Sequence, residues 1–194
     1  MNTKVEQVIN RLEEMPKQGA SYDDKGRHGW RNPVRADTGF LLHSLVLAKN
    51  PNRVLEIGTA HGLSGCYIAS ALKPGATMVS IEWDPEVADE AQHNFDQADL
   101  PVQVLAGDAM KIIEGLNGSV FDLVFLDANK DGYLEQVLKL EALNKLAYNC
   151  LILADNVIDR QAECQNFLDY INKYPHTVIQ TECGLLVAKL GADF

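Results

Sequence analysis

"LEIGTAHGLSG", residues 55–65, sets an apolar run against a loop with glycines at 58, 62 and 65, and an apolar segment resumes directly behind it. Read outward, "RVLEIG" (53–58) is a strand and residues 62–72 a helix, with the glycines making the turn between them. Glycine there permits a tight turn and a close backbone approach to a ligand. The first N–H groups of the helix are then free to meet a carboxylate or phosphate. The same strand-then-helix order repeats downstream. "TMVSIE" (77–82) precedes a helix over 84–97, opened by Asp84 as cap and Pro85 in the first turn. "VQVLAG" (102–107) leads into "DAMKIIEGL", and "FDLVFLD" (121–127) into a helix over 131–147 that Asp131 caps and Leu134, Val137, Leu138, Leu143 and Leu146 line. "NCLILAD" (149–155) leads into a helix carrying Cys164, Phe167, Leu168 and Ile171, and "TVIQT" and "GLLVAKL" form an antiparallel pair.

Most of these strands are continuous apolar runs, as strands covered on both faces are. The pattern predicts a doubly wound α/β fold with a mostly parallel seven-stranded sheet and a C-terminal antiparallel hairpin. Before it come an amphipathic helix over 3–15, a loop over 16–37 rich in glycine and charge, and a second helix over 38–49. The whole chain, 1–194, reads as one domain: helix and lid loop over 1–37, core over 38–194.

Bulk properties narrow the function classes. The chain carries 17 basic and 27 acidic residues, a net charge of −10, which argues against a nucleic-acid or anionic-membrane partner. Hydrophobic residues make up 46% and charged residues 23%, the balance of an ordinary globular protein. Cys66, Cys150, Cys164 and Cys183 show no paired spacing and read as reduced thiols. "MNTKVEQVINRLEEM" has no apolar signal core and no run reaches membrane-spanning length, so a soluble, cytoplasmic protein is expected.

In sheets of this kind ligands lie outside the carboxyl ends of the strands. Those ends here hold Glu56 with Gly58, then Glu82, Asp108, Asp127, and Asp155 with Asn156. One or two acidic residues there would be ordinary helix caps; five mark a site. The dinucleotide fingerprint GxGxxG is missing, because the second residue after Gly58 is Ala60. The pattern is ExGxxxG, and it resembles motif I of the class I methyltransferases that use S-adenosylmethionine. Glu82 has the chemistry to accept from both ribose hydroxyls, Asp108 from the adenine amine, and Ser64 could meet the ligand's carboxylate. Each taken singly also fits a plain cap or a solvated side chain. Glu56 does not, since a carboxylate inside an apolar strand is costly unless paired.

Asp127, Asp155 and Asn156 offer three oxygen donors from adjacent strand ends, a set that suits a hard cation. The spacing alone leaves open that Asp127 caps a loop and Lys130 is a surface cation. "GDA", "FDLVFLDANKDGY" and "LILADNV", in this order behind the glycine loop, resemble the cation-dependent O-methyltransferases of the catechol and caffeoyl-CoA type over about residues 38–190. The resemblance implies that Asp127, Asp155 and Asn156 hold Mg²⁺, or another hard divalent cation such as Mn²⁺ or Ca²⁺, and that Lys130 is the general base. It further implies that Glu56, Gly58, Ser64, Glu82 and Asp108 bind S-adenosylmethionine, with Thr59, Ala60, Gly62, Trp83, Ala109 and Asp127 beside them. The implied acceptor is a small aromatic diol or hydroxycinnamoyl compound. A phenol has a pKa near ~10; a cation on its oxygen stabilises the phenolate and a second hydroxyl on the same ion fixes its aim.

The chain departs from the animal catechol enzymes at Asn129, where those carry a large aromatic residue, and no acidic residue near the C-terminus is assigned to the second catechol hydroxyl; Glu182 lies in a turn. The basic loop with Lys25, Arg27, His28, Arg31 and Arg35 around Trp30 reads equally as a lid or as a solvated linker. Two other readings compete: transfer to a hydroxylated uridine of transfer RNA, as some relatives perform, and a nucleotide-binding protein that is not a methyltransferase. Many bacterial and plant members of the family are dimers, and the resemblance leans to a homodimer.

Overall fold

The structure, a computed structural model, describes residues 1–15 and 34–191. Lys25, Arg27, His28, Trp30 and Arg31 of the expected lid lie outside the described residues.

The chain runs through helix α1 (Thr3–Glu13), helix α2 (Ala36–Lys49), strand β1 (Arg53–Ile57), helix α3 (Leu63–Ala69), strand β2 (Thr77–Glu82), helix α4 (Pro85–Gln97), strand β3 (Val102–Ala106) and helix α5 (Ala109–Gly115). Then come strand β4 (Phe121–Leu126), a 3₁₀ turn over Lys130–Gly132, helix α6 (Tyr133–Ala142), strand β5 (Leu146–Ala154), helix α7 (Gln161–Ile171), and strands β6 (His176–Ile179) and β7 (Leu185–Leu190). The seven strands form one sheet in the order β3-β2-β1-β4-β5-β7-β6. β1 to β5 are parallel, while β7 runs antiparallel to both β5 and β6. The order reverses between β1 and β4, where a doubly wound sheet leaves a crevice at its carboxyl edge.

Alternation along the strands feeds two separate cores. On β1, Val54 joins α1, α2, α3 and α4 on one face through Val8, Leu42, Tyr67 and Phe95. Leu55 and Ile57 join α5, α6 and α7 on the other through Ile113, Val137 and Phe167. Every β1 residue after Arg53 is buried, Glu56 included. Among the described residues no helix is long and apolar enough to cross a membrane, and the four cysteines are free thiols.

Three local expectations are corrected. The helix read over 131–147 stops at Ala142, and Leu146 begins β5 opposite Phe121. Asn144 takes a left-handed conformation (φ 54°), which ends the helical path and turns the chain back to the sheet. Leu138 and Leu143, expected on the inner face, are 42% and 40% exposed, and the buried positions are Tyr133, Gln136, Val137 and Leu140. Nor does Asp131 cap α6; it lies inside the 3₁₀ turn, and α6 starts from Gly132 with no side-chain cap. Asp84 and Pro85 do open α4, the Asp84 carboxylate accepting from the Glu86 N–H at 2.9 Å.

Candidate functional site

A cleft of about 670 Å³ lies along the carboxyl ends of β1, β2, β3 and β4. Its floor is the glycine loop. Gly58 sits at φ 100°, Ala60 at 45° and Gly62 at 88°, three left-handed residues within five positions. Gly58 also has no room for a side chain: a Cβ there would stand 2.6 Å from the Asp127 backbone carbon. The ends of β1 and β4 are pressed together at that point, with the Asp127 N–H donating to the Ile57 carbonyl at 2.9 Å. The loop therefore places the backbone of 58–62 and the Asp127 side chain on the wall of one cavity.

Glu56 is brought close to the loop but does not line the cleft. It is fully buried, and its two oxygens accept from Ser64 and Ser80, each at 2.5 Å. The parallel register sets Ser80 directly beside Glu56, and Ser80 in turn shares a hydrogen bond with Thr59 at 2.5 Å. Burial pushes the Glu56 carboxyl up to about 8, the two serines holding it lower than burial alone would and the charges of Asp127 and Glu82 adding to the rise. Glu56 thus ties the start of α3 to β2 beneath the loop.

Glu82, at the end of β2, lines the cleft and holds the loop from its other side. One carboxylate oxygen accepts from the Ala60 N–H at 2.8 Å and the other from the Asp84 N–H at 3.1 Å. Its pKa is raised, by burial first, with these backbone N–H groups opposing the shift. Asp108 also lines the cleft and caps α5 through the Met110 N–H at 2.8 Å, so the cap reading and the site reading hold together. Ala109 follows it on the wall, and Trp83, 73% exposed, stands at the rim. Ser64 lines the cleft with its hydroxyl proton committed to Glu56.

The far half of the cleft holds Asp127, Lys130 and Asn156. Lys130 Nζ donates to Asp127 Oδ1 at 2.7 Å, with side chains only 10% and 14% exposed, and lies 5.3 Å from the centre of the Tyr133 ring. The Asp127 pKa is raised by burial, with Lys130 opposing. Asp155 is 4% exposed and pushed up to about 7, first by burial and then by the Asp127 charge. Among the described residues its Oδ1 has no hydrogen-bond partner. A buried carboxylate oxygen without a donor is costly, and a cation is one group that would satisfy it. Among the described residues no three His, Cys, Asp or Glu side chains form a cation cage by themselves. The set here is two carboxylates and the Asn156 amide, hard oxygen donors that fit a divalent cation such as Mg²⁺.

The structure adds residues that the motifs do not contain. Asp159 lines the cleft and accepts from Asn156 Nδ2. Gln136, Arg160 and Glu163 line it as well, Arg160 holding Glu163 through two hydrogen bonds. The sequence signal for Asp159 is its place three residues after Asn156, readable only once residues 157–160 are known to form a turn. Glu182, left unassigned above, pairs with Arg35 at 2.5 Å and lines a smaller cavity of about 190 Å³ that Asp155, Asn156 and Asp159 share. His43 and His93 lie apart from the cleft, bonded to Ser70 and Gln97.

Known proteins resemble the chain in this region. A family model described as O-methyltransferase matches residues 21–167. Catechol O-methyltransferase B of Danio rerio is 36% identical over 148 residues, which is 73% of this chain and 54% of that protein. The chain thus spans about half the length of the curated relatives it matches. The solved O-methyltransferase TomG of Streptomyces achromogenes, involved in tomaymycin synthesis and in complex with SAM, superposes with a TM-score of 0.79 at 25% identity, over 99% of this chain and 91% of that one. An O-methyltransferase of Bacillus cereus in complex with SAH gives 0.77 at 25% identity, over 97% and 91%.

Proposed function

The chain belongs to the O-methyltransferase family, and from that premise we propose that it transfers a methyl group from S-adenosylmethionine to a hydroxyl of a catechol-like small molecule, with the help of a divalent cation. The observation that carries this reading is one cleft with two chemically different halves. One half is a glycine loop flanked by the Glu82 and Asp108 carboxylates. The other is Asp127, Lys130 and Asn156, beside the unpartnered oxygen of Asp155.

In this reading the loop backbone at Gly58–Gly62, with Ser64, receives the amino-acid end of the donor. Glu82 accepts from the ribose hydroxyls and Asp108, beside Ala109, from the adenine amine. Trp83 covers the donor from the rim. Glu56 acts at one remove, through Ser64 and Ser80. Asp127, Asp155 and Asn156 would hold the cation, which would supply Lewis acidity toward an acceptor oxygen.

Lys130 is the group that takes the hydroxyl proton. It can do so only as a neutral amine, so the ion pair with Asp127 at 2.7 Å is a resting arrangement that must open before proton transfer. The sulfonium methyl needs no further activation. What remains for the protein is to hold donor and acceptor for in-line approach, and this is why both halves have to share one rim. The names of the relatives, catechol O-methyltransferases, support the acceptor class, and the SAM and SAH in solved neighbours support the donor.

The test is methyl transfer from labelled S-adenosylmethionine to a panel of catechols, with Mg²⁺ and with EDTA. Transfer that EDTA abolishes is the expected result. Transfer unchanged by EDTA would remove the cation from the mechanism, and absence of donor binding by calorimetry would overturn the reading of the glycine loop.

A further inference from the structure

We propose that Asp159 is a positioning residue that orients the Asn156 amide toward a bound cation. The inference rests on the reading of Asp127, Asp155 and Asn156 as the cation-holding set.

A side-chain amide is two-faced. Its oxygen can ligate a cation, while its NH₂ group repels one, and in a symmetric environment a flip exchanges them. Here the environment is not symmetric. Asn156 Nδ2 donates to both carboxylate oxygens of Asp159, each at 3.2 Å. A carboxylate only accepts, so it selects the nitrogen and leaves Asn156 Oδ1 as the atom free to face a cation. Both residues line the cleft and the smaller cavity beside it. The neighbouring Asp155, 4% exposed, has an Oδ1 with no partner among the described residues. At the end of β5 the Asn156 amide nitrogen is thus tied down beside the unpartnered Asp155 oxygen.

The backbone that carries Asp159 is itself fixed. Asn156 stands at φ 64°, a left-handed position that asparagine tolerates. Its carbonyl accepts from the Arg160 N–H at 3.0 Å, closing a helical turn that brings residue 159 back over residue 156. Three further bonds pin this turn to the segment before β7. The Val157 N–H donates to the Gly184 carbonyl at 3.2 Å, and the Ile158 and Asp159 N–H groups to the Cys183 carbonyl at 2.9 and 3.3 Å. The two segments touch so closely that a Cβ on Gly184 would fall 2.3 Å from Ile158 Cγ1. Such support is what an outer partner needs to aim a ligand, and removing an outer partner typically costs roughly 10–100-fold in metal affinity.

The experiment is titration of the full chain with Mn²⁺, following free Mn²⁺ by its paramagnetic resonance signal, with neither donor nor acceptor present. Asp159→Ala is expected to weaken Mn²⁺ binding by roughly 10–100-fold, and Asp159→Asn, which keeps an accepting oxygen, by no more than about threefold. Calorimetry with S-adenosylhomocysteine checks that each variant is folded; if Asp159→Ala is not, Asp159→Ser, too short to reach the amide, takes its place. Equal affinity in Asp159→Ala and the unaltered chain overturns the positioning role. So does an equal loss in Asp159→Asn and Asp159→Ala that fades with salt, since charge and not orientation would then be the cause. Failure of the unaltered chain to bind Mn²⁺ is a different result and overturns the cation site itself.

Discussion

Replacing Glu56 by glutamine should change how stability responds to pH. The Glu56 carboxyl is fully buried and raised from 4.5 to about 8, burial being the largest cause. A carboxyl raised in this way takes up a proton on folding. Its contribution to stability is complete below pH 4.5 and is lost as the pH climbs through about 8. Inside that window each pH unit removes up to about 1.4 kcal/mol, so stability falls by roughly 2–3 kcal/mol between about pH 5.5 and about pH 7.5 on this account. Glutamine keeps the shape and can bond both serines, Ser64 and Ser80, but has no proton to lose. The Glu56→Gln protein should therefore gain on the parent by that amount across the same interval. Urea unfolding of both proteins at the two pH values measures it. Asp127, Asp155 and Glu82, whose pKa values are also raised, are present in both proteins and largely cancel in the difference. A gap between the two proteins that stays constant within about 0.5 kcal/mol would refute the reasoning. It would mean that Glu56 is ionised in the folded protein, with the serine hydroxyls outweighing burial.

Gly58→Ala forces a side chain into φ 100° and against the Asp127 backbone 2.6 Å away, so a loss of roughly 3 kcal/mol is expected, read as a fall in Tm of about 6–12 °C. Asp127→Asn keeps the shape but replaces a carboxylate of the proposed cation-holding set by a neutral amide. The expected result is at least about a hundredfold lower kcat with S-adenosylhomocysteine affinity little changed, measured by kinetics and calorimetry side by side. Tyr67→Phe removes the hydroxyl that donates to Glu13 at 2.7 Å and should cost about 1 kcal/mol, with faster hydrogen exchange in α1 than in β1.

The alternation of strands and helices was legible because each element carries its own local signal. β1, β2 and β4 are apolar runs that a double-covered sheet requires, and Asp84-Pro85 opens α4 as its chemistry dictates. The carboxylates at the strand ends were legible for the same reason, since acidic residues at the ends of buried runs stand out one by one. Local signal failed where two elements shared a pattern. Leu143 and Leu146 continue the spacing of α6, and only Asn144 turning left-handed separates helix from strand.

The sequence by itself determined that Glu56 needs partners, because a charge in an apolar strand is unfavourable in any fold. Which partners it finds was decided by the register of β1 on β2 and by the start of α3, contacts that join positions 8 and 24 residues away. The same holds for the sheet order, for the cleft that unites Glu82 with Lys130, and for Asp159. Hydrophobic periodicity and capping act over a few residues and can be read along the chain. The geometry of a site depends on packing between strands distant in sequence, and that is settled only when the cores on both faces of the sheet close.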